Sequence, residues 1–450
     1  MINNFCKFGI NQNPIALILI YTHKTSPRLE YIVKFIFNNI HGAEYSITTD
    51  KEIFIASDNP KINYSEEVID NSLQIVPQGL LSETDILQKK VDVSDWNNTK
   101  IFFQTNAELE VPFDIFATSF YLVSRYEEYL PFSADQHGRF EANQSLAYRN
   151  GFLYEPVVDQ WACKLAGILK QKFPGFKTCE REFSYISTID IDNAYAYLYK
   201  GTVRTLGAAM RDLFKLDFDE NIKRFQTLAG EKDPFDTYGY LESMHKKYDI
   251  HPIWFFLVGN YNTYDKNLPL DNEAFKELIQ RISDIAEVGI HPSYESNNDF
   301  EQLKREFDYL TGVSKKPVTK SRQHYLKLLF TDTYQNLIKL GIKEDYTLGY
   351  ATDTGFRAGT CTPFNFYDLY NEKETALKIY PFQVMDTTLN QYLKLDVEEA
   401  VERIGHMIEK VKQVRGTFIS LWHNESLSDH GHWKGWEPVY KRMLEIIFKN

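Results

Sequence analysis

Six polar residues in the second half of this 450-residue chain have the types that divalent-metal hydrolysis needs, and each closes an apolar run. Asp190 and Asp192 end the first run, His291 the third, Arg322 and His324 the fourth, and His423 the last. Alternation along an extended chain turns the Asp190 and Asp192 carboxylates to the same side. Such a pair suits one divalent ion and one adjacent base. Taken singly, each residue has an ordinary explanation. Paired acids cap helices and turns, and a histidine at a strand end is usually a satisfied polar residue. It is the coincidence at several strand ends that points to a site.

The elements that must position these residues are short β-rich runs alternating with helical patterns. The runs are Tyr185 to Ile191, Pro252 to Val258, Ala286 to Ile290, Val318 to Tyr325, Tyr346 to Tyr350, Ile379 to Val384 and Thr417 to Trp422. Helical periodicity covers Asp271 to Ala286, Asp299 to Tyr309, Asp332 to Leu340, Val397 to Val414 and Trp436 to Phe448, with Asp271, Asp299 and Asp332 at capping positions. Alternating strands and helices predict a parallel sheet with right-handed crossovers, as an α/β barrel or a doubly wound sheet. In either, ligands gather at the C-terminal ends of the strands.

Residues 1–180 predict a smaller α/β domain of unassigned function, and 183–450 a second domain. The first has strands at Ile15 to Tyr21 and Ile53 to Ala56, and helices at Leu29 to Asn39, Pro112 to Tyr129 and Pro156 to Phe173. Its turn-rich stretch Asp135 to Asn150, with Asp135, His137 and Arg139, reads as a solvated loop.

The composition, 43% hydrophobic and 25% charged, is that of a soluble globular protein. A net charge of -12 argues against a nucleic-acid partner, which requires a basic face. Aromatics reach 15%, which a Tyr- and Phe-rich core explains more simply than sugar-stacking platforms. No apolar run approaches the roughly 20 residues of a transmembrane helix, and Ile15 to Tyr21 lacks the flanks of a signal peptide. A cytoplasmic location follows as the expectation. Cys6, Cys163, Cys179 and Cys361 are scattered and read as reduced, buried thiols.

From about residue 183 the chain resembles the polysaccharide deacetylase (NodB homology) domain of carbohydrate esterase family four. Thr188-Ile189-Asp190-Ile191-Asp192 resembles its first motif, and Trp254-Phe255-Phe256-Leu257-Val258-Gly259 its second strand. His291-Pro292-Ser293 stands at the histidine motif, Arg322 at the arginine motif, and Leu421-Trp422-His423 at the closing one. The resemblance implies a distorted (β/α) barrel and a metal-dependent hydrolase that removes N-acetyl groups from a sugar or glycan. It implies Asp190 as the base for the attacking water, Arg322 as the partner of Asp190, and His423 as the acid that protonates the leaving amine. The amino-terminal part resembles the poorly characterised domain preceding this module in some bacterial proteins.

Two departures stand out. Where the family places a second histidine four residues after the first, this chain has Glu295, and its arginine motif continues Gln323-His324 instead of reaching a proline. The expected ligands are therefore Asp192, His291 and His324, with Glu295 as the alternative third. One carboxylate and two imidazoles suit Zn²⁺ and also accept Co²⁺ or Ni²⁺. Arg357, Tyr350 and Trp422 are candidates for substrate contact, and Asp345 for support of Arg322. The insert from Tyr197 to Asp236, with Arg204, Arg211, Lys215 and Arg224, is a candidate lid; solvated helix faces are the plainer reading. Two other readings stay open: a metal-dependent sugar-nucleotide glycosyltransferase using Asp190 and Asp192, and a catalytically inactive carbohydrate-binding module of the same fold.

Overall fold

The computed structural model describes residues 17–216 and 218–449. In the first part of the chain, β1 (Ile18–Thr22), β2 (Tyr45–Thr48), β3 (Lys61–Tyr64) and β4 (Leu73–Ile75) form a parallel sheet in the order β2-β1-β3-β4. Of the first expected strand, Ile15 and Ala16 lie outside the described residues, as does Cys6. The expected strand Ile53 to Ala56 is instead part of a helix, Lys51–Ala56. Asp50 caps it by accepting the backbone N–H groups of Glu52 and Ile53. Ile53 and Ile55 stay exposed on that helix, so their apolar character carried no strand signal. A small antiparallel hairpin, β5 (Ser94–Trp96) and β6 (Thr99–Ile101), follows.

The larger sheet contains β7 (Ser184–Ile191), β8 (Ile253–Leu257), β9 (Glu287–His291), β10 (Lys320–Ser321), β11 (Glu344–Asp345), β12 (Phe364–Asp368), β13 (Lys373–Ile379), β14 (Val384–Met385) and β15 (Thr417–His423). Their order is β12-β13-β11-β10-β9-β8-β7-β15-β14, parallel except for the β12–β13 pair. Register puts Asp190 directly beside His423, and Leu257 beside His291. Gly289 is required in β9, because a Cβ there would come within 2.4 Å of the Phe255 ring. That ring lies against the Arg322 guanidinium, 4.8 Å from its centroid.

The row has two ends, yet one chain segment holds to both. β13 pairs with β11, β14 pairs with β15, and only Tyr380 to Gln383 separate them. Within that link the N–H of Tyr380 donates to Asp345, that of Phe382 to Leu348 and that of Gln383 to Ile419. The expected run Ile379 to Val384 is thus split between two strands, and Val318 to Tyr325 shrinks to β10. Tyr346 to Tyr350 is not a strand. Its carbonyls serve arginines instead, Tyr346 accepting from Arg322 Nε at 3.0 Å and Gly349 from Arg357 Nη1 at 2.8 Å. The five helices expected after residue 260 form close to their predicted bounds. Asn272, not Asp271, caps the first of them, Asp299 caps the second, and Asp332 makes no side-chain cap bond.

One apolar cluster runs from Ile18 to Ile447, so both sheets share a continuous core. Buried polar groups fasten the two parts as well. Asp159 accepts from Thr360, Thr362 and the N–H of Cys361, and Arg357 is held by Glu128. Cys361 is buried, whereas Cys163 is exposed on the helix Val157–Lys172, against expectation.

Two histidines are buried far from any carboxylate hydrogen bond. His41 Nε2 donates to the Ala162 carbonyl at 2.9 Å, and His245 Nε2 lies 2.8 Å from the Tyr440 hydroxyl. Burial lowers both to about 4. The unfolded chain, with histidines near 6.5, therefore binds protons that the folded one refuses. The stability these two residues allow is complete above about pH 6.5 and is lost as pH falls towards 4. Chemical denaturation across that window should show falling stability, with a shallower slope in His245→Gln. An unchanged slope in the variant would contradict the assignment.

Candidate metal centre

Parallel register delivers the candidate residues to one rim. Asp190 is the penultimate residue of β7 and Asp192 immediately follows that strand. His291 ends β9, Arg322 follows β10, and His423 ends β15. Asp192 is the hub. Its Oδ1 lies 3.1 Å from His291 Nε2, and its Oδ2 lies 3.2 Å from His324 Nε2 and 3.6 Å from His423 Nε2. Ligand atoms of Asp192, His291 and His324 all fall within 4.8 Å of one another. Glu295, the alternative third ligand, is exposed and outside this group.

The tautomers follow from the outer partners. His291 Nδ1 lies 2.6 Å from the Arg322 carbonyl, which only accepts, so that nitrogen carries the proton. His324 Nδ1 lies 2.7 Å from Asp265 Oδ1. Each ring thereby presents its Nε2 to the Asp192 carboxylate, as metal-ligating histidines do. Among the described residues, Asp192 Oδ1 is buried without a hydrogen-bond donor. Facing lone pairs and a carboxylate repel unless a cation lies among them, so this donor set fits a divalent ion. The field has the same sign for a proton. Burial works to lower the His324 pKa, but the Asp192 and Asp265 carboxylates overcome it and raise it to about 9.

Two charge pairs flank the group. Arg322, fully buried, donates from Nη1 to Asp190 Oδ1 at 2.8 Å, while Asp190 Oδ2 stands 3.8 Å from His291 Nε2. On the other side, Asp386 receives both His423 Nδ1 at 2.8 Å and the His423 backbone N–H at 2.7 Å. Burial works against charge on His423, but the carboxylates of Asp386 and Asp192 outweigh it and hold its pKa well above the usual histidine value.

Asp265 and Asp386 went unnoticed in the sequence. Asp386 follows β14 directly, so the strand-end rule that found the others applied to it as well. Asp265 carried no such signal, since it sits in a loop beyond β8, held by Asn262 and the N–H of Tyr294.

The three expected substrate contacts stand elsewhere. Arg357 is buried and committed to Glu128, with Nε 2.9 Å from Oε1, and to the Gly349 carbonyl. Tyr350 is buried beside Arg125 and Arg357. Trp422 points away from His423, as its neighbour in a strand must, and packs edge-on against Tyr440. Asp345 bonds Ser321 and Thr347, not Arg322.

The insert forms two helices, Thr202–Phe214 and Phe218–Leu228, whose only buried residues are Asp212, Arg224 and Thr227. Arg224 pairs with Asp212, Arg211 bonds the same carboxylate, and Arg204 lies over Tyr261. Apolar side chains share the exposed faces with charged ones such as Arg211 and Lys215: Val203, Leu206, Met210, Phe214, Ile222 and Phe225 all face solvent.

The rim of the site is aromatic. Tyr264 stacks on Tyr294 at 4.0 Å between centroids, and Tyr325 stands edge-on to both and to His324. Tyr325 and Leu326 take left-handed backbone angles, with φ of 59° and 53°. That conformation costs bulky L-residues about 1–2 kcal/mol each. Contrary to the expectation of a solvated loop, His137 and Arg139 from the first part of the chain are buried against this turn.

A family of unknown function, DUF7033, matches residues 18–174. No curated protein matches the chain. Among solved structures, a Mycobacterium smegmatis protein named as a polysaccharide deacetylase aligns with 59% of this chain and 85% of its own, at 12% identity and a TM-score of 0.38. A polysaccharide deacetylase from Bacillus cereus aligns over 59% and 86%, at 10% identity and a TM-score of 0.29. A CE4 family pseudoenzyme from Bacillus anthracis aligns over 59% and 61%, at 11% identity and a TM-score of 0.28. Likeness at these scores assigns no role to any residue.

Proposed function

We propose that this chain is a metal-dependent hydrolase that removes N-acetyl groups from a carbohydrate. The observation that carries this reading is the meeting of Asp192, His291 and His324 within 4.8 Å, between the Arg322–Asp190 pair and the Asp386–His423 pair. The motif order along residues 183–450 supports the carbohydrate. The link Tyr380 to Gln383, bonded to Asp345 of β11 on one side and Ile419 of β15 on the other, supports a distorted barrel, on which the smaller α/β unit of residues 1–180 packs through the shared core.

In this reading Asp192 and the Nε2 atoms of His291 and His324 would hold the ion, which would supply Lewis acidity and ease deprotonation of the attacking water. Zn²⁺ fits the set best, and Co²⁺ or Ni²⁺ also suit it. Asp190 takes the proton of that water. Arg322 binds one oxygen of Asp190 and leaves Oδ2 turned towards the His291 side, where a proton can be received. The amide nitrogen cannot leave as an anion, so it must be protonated as its bond to carbon breaks. His423, kept cationic by Asp386, stands opposite Asp190 on the adjacent strand and delivers that proton. A glycosyltransferase using the two aspartates leaves the three convergent imidazoles without work.

Acetate release from a panel of N-acetylated sugars tests the chemistry. Wild type should release acetate, and Asp190→Asn and His423→Ala should each lower kcat by about 10²–10⁴-fold. Equal release by wild type and Asp190→Asn contradicts the base assignment. Bound metal without acetate release from any sugar makes the chain a binding module. Counting metal in purified His324→Ala tests the ligand set separately: occupancy should fall sharply, and full occupancy removes His324 from the centre.

A further inference from the structure

Asp135, His137 and Arg139 belong to the first part of the chain, far in sequence from the metal centre, yet Arg139 reaches the turn that carries His324. Its Nη1 donates to the Tyr325 carbonyl at 2.9 Å, one residue beyond the ligand. Its Nη2 lies 3.3 Å from the Tyr392 hydroxyl. The guanidinium is itself held, with Nε donating to Asp135 Oδ2 at 2.7 Å. Asp135 Oδ1 accepts the backbone N–H groups of His137 and Arg139, which closes the loop around the carboxylate. His137 covers the same turn from the side, its ring 4.7 Å from that of Tyr325 and its Nδ1 3.3 Å from the Tyr294 hydroxyl.

This turn needs an outside restraint. Tyr325 and Leu326 are consecutive non-glycine residues with positive φ, and such a conformation persists only where the surroundings over-determine it. His324 immediately precedes them. Its ring is fixed by Asp265 at one nitrogen and its backbone N–H by the Pro292 carbonyl at 3.2 Å, while its own carbonyl belongs to the turn and accepts from the N–H of Lys327 at 3.3 Å.

The geometry points to Arg139, anchored by Asp135, as a positioning residue of the metal centre. Acting through the Tyr325 carbonyl, it keeps His324 Nε2 facing Asp192, so the amino-terminal part of the chain completes the site. This inference rests on the proposed metal centre. It gives that part of the chain a definite task, and it explains why a buried arginine on a half-buried carboxylate occurs in a loop whose composition suggests solvent.

Titration of the metal-free full-length chain with Co²⁺, followed by its visible absorption, measures both affinity and ligand geometry. Arg139→Met should bind Co²⁺ about 10–100-fold more weakly, the loss typical of removing an outer partner from a metal site. Its absorption should also change, while Arg139→Lys, which retains one donor for the carbonyl, should recover part of the affinity. Thermal melting of the metal-free proteins separates this from general damage, since a positioning role predicts a larger deficit in affinity than in apo-protein stability. Should Arg139→Met fail to fold, Asp135→Asn loosens the guanidinium without removing it and should weaken Co²⁺ in the same direction. Undiminished affinity and an unaltered spectrum in the folded variant overturn the inference alone. A wild-type chain that binds no Co²⁺ overturns the proposed function and this inference together.

Discussion

The half-buried Asp192 carboxylate faces the Nε2 atoms of three imidazoles delivered from separate strand ends, and that convergence calls for a positive charge at its centre. Around that requirement the rest of the site falls into place. His291 and His324 have their outer nitrogens occupied by a carbonyl and by Asp265, so only their inner lone pairs remain for the centre. His423 has its outer nitrogen on Asp386, whose carboxylate favours the protonated ring. His324 and His423 each rest the outer nitrogen on a carboxylate, whereas His291 rests its own on a carbonyl.

The sheet achieves this by register. Neighbouring parallel strands end at one level, so adjacent strands place Asp190 beside His423 and bring His291 two strands away. Arg322 sits in the wall of the same rim, its guanidinium lying over Phe255 and its donors divided between Asp190 and the Tyr346 carbonyl. Removing either partner of the Asp190–Arg322 pair would leave a buried charge alone, commonly a loss of about 3–5 kcal/mol. The pair therefore fixes the geometry of the rim as well as the orientation of Asp190.

Much of this rim was legible in the sequence, because a single rule, polar residues at the ends of apolar runs, selects Asp190, Asp192, His291, Arg322, His324 and His423. Asp386 stands two residues beyond the expected run Ile379 to Val384, because β14 extends one residue past it to Met385. Asp265 obeyed no such rule, since its place comes from a loop closed by Asn262 and Tyr294. Trp422 does not stand where a substrate contact would, because it adjoins His423 in a strand and period two turns neighbours to opposite faces. Arg357 and the 135–139 loop take their places for a common reason. What buries them comes from the other part of the chain, Glu128 for Arg357 and the Tyr325 turn for Arg139, and no local pattern records a distant partner.

Every step of the account requires a cation among Asp192, His291 and His324. Diffraction from crystals grown with Zn²⁺, recorded on both sides of the zinc absorption edge, locates such an ion without reference to activity. The account predicts one anomalous peak about 2.0–2.2 Å from an Asp192 oxygen and from the Nε2 atoms of His291 and His324. No peak among these three side chains, or a zinc ion bound elsewhere while they keep the spacing described, would contradict it.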